Sequence, residues 1–496
     1  MKRTPGDSLP QFFSSPAPEP QAAVPIVRPL CVDLDGTLVK SDTLIDSLLA
    51  LTRTYPARLV GLPASLLRGK AAFKAFVTQS VELNVPHLPY HRKLLEYLHQ
   101  QHARGREIYL ATGADIHLAR RVADHLGIFT GVLASDGATN LTGNSKLDSL
   151  RAHLGAQAFD YIGNDTPDLP LLAQATEPMV VNPTLGLRIK LKSRGIRPSQ
   201  SFIERESPIR STLKAVRWHQ WAKNLLVFVP LLCSHALSAE KIITALGAFI
   251  CFSLTASSAY IVNDLLDLEA DRCHPLKRLR PFASGNLHAV TGILIATILL
   301  VGGLTIAALL PGHFLLWLLI YLATTLIYSL YLKRIALVDV LVLAGLYSLR
   351  LLAGSAVTHT PISHWLAGLS MFLFLSLAIV KRFAELENLR AANALPKNGR
   401  GYLLTDLDQL RSFGTSSAYA AVVIFAIYIT GPDVVKLYHR PRLLWLTVPL
   451  MILWLNRVWL LASRGELDED PVAFALTDLT SQAIGIAIVL IALYAL

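Results

Sequence analysis

Apolar residues are spread unevenly along the 496-residue chain. Up to about residue 205, short apolar runs alternate with polar segments, the pattern of a soluble domain. From residue 224 onward the apolar stretches are long and recur. A hydrocarbon core about 30 Å thick is crossed by a helix of about 20 residues. On that criterion nine spans are predicted, in 224–240, 242–262, 288–310, 313–331, 336–357, 364–380, 415–432, 443–462 and 479–496. Within the first part, residues 44–100 carry a mostly helical pattern, and the runs after Arg28 and at 107–113 are predicted strands. Residues 1–27 are rich in Pro, Ser and Ala and are expected to be a disordered lead, with no signal-peptide pattern.

Basic segments punctuate the apolar half. By span counting, residues 208–223, 272–280, 333–334 and 381–400 fall on one side, expected to be cytoplasmic. The turns at 311–313 and 358–363 lack Lys and Arg and fall on the other. The segment 439–442, with Arg440 and Arg442, runs against the rule. Composition agrees: 52% hydrophobic and 16% charged residues exclude an ordinary soluble protein. The formal charge of +11 does not point to nucleic acid, because Lys and Arg lie mostly between apolar runs. Four cysteines, Cys31, Cys233, Cys251 and Cys273, show neither metal spacing nor a disulfide pattern.

The segment with the clearest chemistry is 263–285, directly behind an apolar run. Asp264, Asp267 and Asp271 recur at helical spacing, which is expected to put three carboxylates on one helix face. Arg272, Lys277, Arg278 and Arg280 follow in one short loop. Acids at a membrane boundary are costly unless neutralised. Hard Mg²⁺ does this through carboxylate and phosphate oxygens. The pattern predicts a diphosphate–Mg²⁺ site at the mouth of a membrane cavity.

These residues resemble the UbiA superfamily of membrane prenyltransferases, over roughly 208–496. The NDxxDxxxD motif is present as Asn263, Asp264, Asp267 and Asp271. The resemblance is closer to the decaprenyl-phosphate phosphoribosyltransferase branch. That branch has an entry like residues 220–224 (QWAKN) and extends the motif as HPxKxxRPxxSG, matched by His274, Pro275, Lys277, Arg280, Pro281, Ser284 and Gly285. Similar elements follow at 328–333, at Asp339 and Arg350, and at Lys381, Arg382, Ala384, Glu385 and Leu386. Relatives that use prenyl diphosphates carry a second motif with two aspartates; here Asp339 stands alone.

The resemblance implies transfer of 5-phosphoribose from phosphoribosyl pyrophosphate to a polyprenyl phosphate. Asp264, Asp267 and Asp271 would hold Mg²⁺, and Lys277, Arg278 and Arg280 the diphosphate or the sugar 5-phosphate. Lys223, Lys333, Arg334, Lys381 and Arg382 are further phosphate candidates, although Lys381 and Arg382 could equally serve only topology. Asn263 would orient a ligand or bind ribose. Asp339 either pairs with Lys333 or joins the site, and Arg350, inside a span, is read as functional. The alternative reading is a prenyl transfer from prenyl diphosphate to an aromatic or other small acceptor.

The first half resembles the haloacid dehalogenase (HAD) phosphatase superfamily over about 28–185. A strand runs into the DxDGT motif of Asp33, Asp35, Gly36 and Thr37; Thr112, Lys146 and the acidic segment 159–169 follow in order. The family implies Asp33 as nucleophile, Asp35 as acid/base, and Thr112 and Lys146 on the phosphoryl oxygens. Mg²⁺ would be held by Asp168 with Asn164 or Asp165, together with Asp33 and Asp35. The family commonly has an aspartate where Asn164 stands.

The expected fold is an α/β HAD-like domain with a helical cap (28–200), a linker with an amphipathic entry (201–223) and an all-α polytopic membrane domain (224–496). The expected function is a bifunctional enzyme that makes polyprenyl-phosphoryl ribose, the HAD-like domain removing the 5-phosphate. Both sites would face the cytoplasm at a bacterial inner membrane. Expected partners are Mg²⁺ in both domains, phosphoribosyl pyrophosphate, polyprenyl phosphate and the membrane, with no nucleic acid; a homo-oligomer is left open.

Overall fold

The computed structural model describes residues 28–204, 206–235, 237–391, 401–467 and 471–496. The expected lead 1–27 and the end of the basic segment 381–400 lie outside the described residues. The chain forms two compact units. One holds residues up to Thr37 with Arg92–Ser135 and Asn140–Phe202, and the other holds Leu38–His91, Asp136–Thr139 and Ile203–Leu496.

The first unit is built on a parallel sheet of six strands: β1 (Leu30–Val32), β2 (Ile108–Asp115), β3 (Gly131–Ser135), β4 (Asp160–Gly163), β5 (Pro178–Val181) and β6 (Gln200–Phe202). Their order is β3-β2-β1-β4-β5-β6. All three residues of β1 are fully buried, which explains why a central parallel strand reads as an unbroken apolar run. Cys31 is in register with Tyr109 on one side and Tyr161 on the other. On one face these residues, with Val180, pack against Leu147, Leu150, Leu171 and Leu187. The strand order reverses beside β1, so the crevice at its C-terminal end is where a doubly wound sheet places its ligand. Asp33 is the next residue.

The second unit begins with a helical insert, Leu38–His91, whose neck is closed by a bridge between Val39 and Tyr90. Its first helix, Thr43–Thr54, starts where the Asp42 carboxylate accepts from the amides of Leu44 and Ile45, at 3.0 and 3.1 Å. Among the described residues, six helices of this unit are long and apolar enough to cross a membrane: Ala239–Leu266, Ala289–Ala308, Val338–Thr358, His364–Ala391, Leu404–Thr430 and Pro441–Ser463. Phe314–Leu330 and Leu479–Ala495 are shorter apolar helices. At 17 residues each they extend about 25 Å.

The nine-span expectation therefore needs correction at its first member. Residues 224–240 are not one helix. Trp218–Phe228 is a 3₁₀ run, Val229–Cys233 is a short α-helix, and a new helix starts at Ala239. Pro230 lacks an amide proton and is tolerated only in a first turn, while Ser238 caps the helix that follows by accepting from the Lys241 amide. The apolar count alone could not register either restart.

The interior of this unit contains an aromatic cluster in which the Phe252 ring meets Phe314 and Tyr321 edge-on at centroid separations of 5.7 and 5.1 Å. Gly354 lets the Val338–Thr358 helix approach the 3₁₀ run closely: a Cβ there would lie 2.1 Å from the Val227 carbonyl oxygen. Gly354→Ala is expected to destabilise the membrane unit by about 1–3 kcal/mol, seen as a lower thermal midpoint in detergent; an unchanged midpoint would contradict this packing.

Candidate functional site

In the sheet unit, the amide of Asp33 donates to the Ile162 carbonyl at 3.0 Å, pinning the first aspartate just beyond β1. Lys146, in the first turn of the helix Asn144–Leu154, reaches it: its Nζ lies 2.8 Å from Asp33, 3.1 Å from Asp168 and 3.1 Å from the Tyr161 hydroxyl. Asp168 also accepts from Tyr161 at 2.8 Å and from the amides of Asn164 and Asp165 at 3.0 and 3.3 Å. Both its oxygens are thus occupied, and it orients Lys146 and the loop after β4. Asn164 is the residue turned toward Asp33: its carboxamide oxygen accepts from the Thr37 hydroxyl at 3.2 Å, and that hydroxyl lies 3.4 Å from Asp33. Gly36, at φ +71°, makes this possible, since a Cβ would collide with the Asn164 side chain.

Asp165 is exposed and bonds to Thr184 at 2.8 Å, away from Asp33. Asp35 is half-buried in the turn after Asp33. Thr112 is buried in β2, with its hydroxyl accepting from the Ala114 amide at 3.0 Å. Burial pushes Asp33 up, to about 6, against the pull of Lys146. Burial alone would lower Lys146, but the Asp168 and Asp33 carboxylates hold it above its ordinary range. The Lys146 ammonium between two buried carboxylates opposes the neutralisation that burial favours at Asp33.

In the membrane unit, the helix Ala239–Leu266 ends at Asp267, and a new short helix, Leu268–Cys273, follows. The expected single face of three carboxylates is therefore broken. Asp264 and Asp271 share the guanidinium of Arg280, at 3.1 and 2.7 Å, and Asp264 also meets Arg217 at 2.6 Å. Asp267 turns elsewhere, to Lys333 at 2.9 Å and to Arg53 at 3.2 Å. Burial, with a push from Asp264, raises Asp271 to about 6 despite Arg280. Arg280 is held above its usual range by Asp264 and Asp271, which outweigh its burial.

Among the described residues, no three acidic, His or Cys side chains converge closely enough to hold a metal ion by themselves. Two carboxylate oxygens do converge on one positive nitrogen of Arg280. That donor set suits a hard divalent ion whose remaining ligands come from phosphate oxygens.

The other predicted residues fall into distinct groups. Lys277 is half-buried beside this loop and its charge reaches Asp271, whereas Arg278 and Arg334 are exposed. The Asn263 side chain has no hydrogen-bond partner among the described residues. Asp339 does not pair with Lys333. It is buried against Arg382 and the Tyr402 hydroxyl, and Arg382 in turn meets Glu385 at 2.8 Å and Tyr328 at 3.1 Å. Lys381 is half-buried beside that network. Arg350 is fully engaged, with Asn224 at 2.8 Å, Tyr321 at 3.0 Å and the Leu346 carbonyl. The ammonium of Lys223 lies 6.0 Å from the Tyr347 ring centre. Sequence reasoning missed Arg217 and Arg53. The first lay in a segment noted only as basic, and nothing local marks the second.

Comparison with known proteins sharpens this picture. The UbiA prenyltransferase family matches residues 226–480. The uncharacterized protein y4nM of Sinorhizobium fredii is 36% identical over 92% of this chain and 89% of its own length. Decaprenyl-phosphate phosphoribosyltransferase of Mycobacterium tuberculosis is 35% identical over 45% of this chain and 76% of that protein. A solved HAD family hydrolase from Salmonella enterica aligns with 34% of this chain and 66% of its own, at 16% identity and a TM-score of 0.26.

Lys146→Met would leave Asp33 and Asp168 as uncompensated buried charges. The expected loss is about 3–5 kcal/mol from the sheet unit, read as a lower unfolding midpoint. A midpoint equal to wild type would contradict the stabilising role of this pairing.

Proposed function

Since the chain belongs to the UbiA prenyltransferase family, we propose that its transferase reaction is the phosphoribosyl one: 5-phosphoribose passes from phosphoribosyl pyrophosphate to a polyprenyl phosphate. The observation that carries this reading is the engagement of Asp339. A donor clamp built on two acidic motifs needs a second set of carboxylates whose partners can exchange. Asp339 is fully buried against Arg382 and Tyr402, whereas Arg217 and Arg280, which hold Asp264 and Asp271, are part-exposed. The kinship to decaprenyl-phosphate phosphoribosyltransferase supports the same choice.

In this reading Asp264, Asp267 and Asp271 are the residues that would hold Mg²⁺. The bound ion would supply positive charge where the leaving diphosphate gains negative charge. Arg217 and Arg280, which sit on Asp264 and Asp271, turn to the diphosphate oxygens when the donor arrives. The C1–O bond breaks with its electron pair leaving on the diphosphate. An oxygen of the lipid phosphate, already ionised, bonds to C1, so no strong base is needed. Asn263 would meet the ribose hydroxyls.

The second half of the proposal is that the HAD-like unit removes the 5-phosphate. Asp33 attacks the phosphorus, Asp35 protonates the departing sugar oxygen and then activates water, and Lys146 and Thr112 hold the phosphoryl oxygens. Mg²⁺ would be held there by Asp33, Asp35 and the Asn164 carboxamide oxygen, with Asp168 as orienter. The fusion of both units in one chain motivates a tandem sequence. The basic segments that flank the spans motivate placing both reactions at the cytoplasmic face of a bacterial inner membrane.

Purified full-length protein, given labelled phosphoribosyl pyrophosphate and polyprenyl phosphate with Mg²⁺, is expected to yield a polyprenyl-phosphoryl ribose and free phosphate by mass spectrometry. Asp33→Asn is expected to stop at the 5-phosphorylated lipid, and Asp264→Asn with Asp267→Asn to lower transfer by at least about a hundredfold. Activity only with prenyl diphosphate and an aromatic acceptor would overturn the reading. Phosphate release that survives Asp33→Asn would remove its second half. Asn164→Asp adds a negative ligand, so the Mg²⁺ concentration for half-maximal phosphatase activity is expected to fall; a rise would show that Asn164 is not a ligand.

A further inference from the structure

We propose that Arg53, carried by the helical insert Leu38–His91, is a specificity-determining residue of the transferase site: with Lys333 it forms a second cationic pole that takes the 5-phosphate of the donor. This inference rests on the phosphoribosyl reading above.

The acidic segment has two differently balanced ends. At one end, Arg217 and Arg280 face Asp264 and Asp271, two cations against two carboxylates. At the other, Arg53 and Lys333 both face Asp267, two cations against one. Counted by direct ion pairs, the second end has one cation in surplus, while Lys277 adds a longer-range charge near Asp271 at the first. Arg53, Lys333 and Asp267 retain 20%, 18% and 18% exposure, so a small anion can reach them. Part-exposed ion pairs are weak and exchange partners readily. A pentose 1-pyrophosphate has two separated anionic groups to match two poles, whereas a prenyl diphosphate has one.

The insert is held rigidly enough to carry such a residue. Asp46 meets Arg272 at 2.9 Å with side-chain exposures of only 2% and 3%, and Ser41 adds a bond to Arg272 at 3.0 Å. Leu49 packs against the cluster of Ala215, Ile261, Leu265 and Phe282. Asp46, Leu49 and Arg53 stand at i, i+3 and i+7, one face of the helix Thr43–Thr54. The face welded to the membrane unit is thus the face that presents Arg53. At its far end the insert is tied again, where the Asn84 amide donates to Glu269 at 3.1 Å. The buried Asp46–Arg272 pair acts as the fastener, and the accessible Arg53–Asp267 pair is the one free to exchange for a ligand.

The test uses the full-length protein in detergent, with kcat and KM for phosphoribosyl pyrophosphate, inhibition by inorganic pyrophosphate, and thermal unfolding. Arg53→Ala is expected to raise KM for the donor at least about tenfold, with kcat, the pyrophosphate inhibition constant and the unfolding midpoint near wild type. Arg53→Lys is expected to recover part of the loss. Lys333→Ala is expected to show the same split and stands as an independent arm if Arg53→Ala does not fold. A wild-type KM in Arg53→Ala, or an equal weakening of donor and pyrophosphate, would overturn the inference while leaving the phosphoribosyl reading intact. A wild-type protein that makes no phosphoribosylated lipid would overturn that reading and the inference with it.

Discussion

Asp33, Asp168, Asp264, Asp271 and Asp339 are buried, and each is paired with a cation. An isolated buried charge costs several kcal/mol, more than a typical single mutation takes away. The chain answers with arginines and lysines drawn from elsewhere in the sequence. Asp264 and Asp271 receive Arg280 and Arg217, Asp267 receives Lys333 and Arg53, and Asp339 receives Arg382. In the sheet unit Lys146 performs the same service for Asp33 and Asp168.

This compensation puts arginine or lysine beside these aspartates, and the pairs differ in how far water reaches them. Part-exposed pairs such as Asp267–Lys333 lose little when their partners exchange. Deeply buried ones behave differently. Arg350 with Asn224 and Tyr321, Arg382 with Asp339, and Arg272 with Asp46 are closed on all sides and act as fasteners between segments distant in sequence. Exposure, rather than charge alone, separates residues that can meet a ligand from those that hold the helices together.

The insert shows how much a fold can rearrange roles. A helical insert between two strands of one sheet is expected to pack on that sheet. Here Leu38–His91 forms one compact unit with the membrane helices, and its first helix lays a carboxylate, a leucine and an arginine along one face against the acidic segment. An insertion between two strands of the sheet unit has become part of the surroundings of the acidic segment.

Much was legible beforehand. The run of β1 into Asp33, the order of Thr112, Lys146 and Asp168, the apolar spans and the acidic motif behind one of them are local patterns, and local patterns survive in a string of residues. Strand burial and helix periodicity depend on near neighbours, so the sheet and most membrane helices could be placed. The break at Asp267, the restart after Pro230 and Ser238, and the choice of Asn164 over Asp165 depended on competing local contacts that only the folded chain resolves. Arg53 and Arg217 lie 214 and 47 residues away from the aspartates they meet. Sequence determined which charges exist and which segments carry them. Tertiary structure decided which charges meet, because pairing across such separations is set by the packing of helices and leaves no mark on the neighbouring residues.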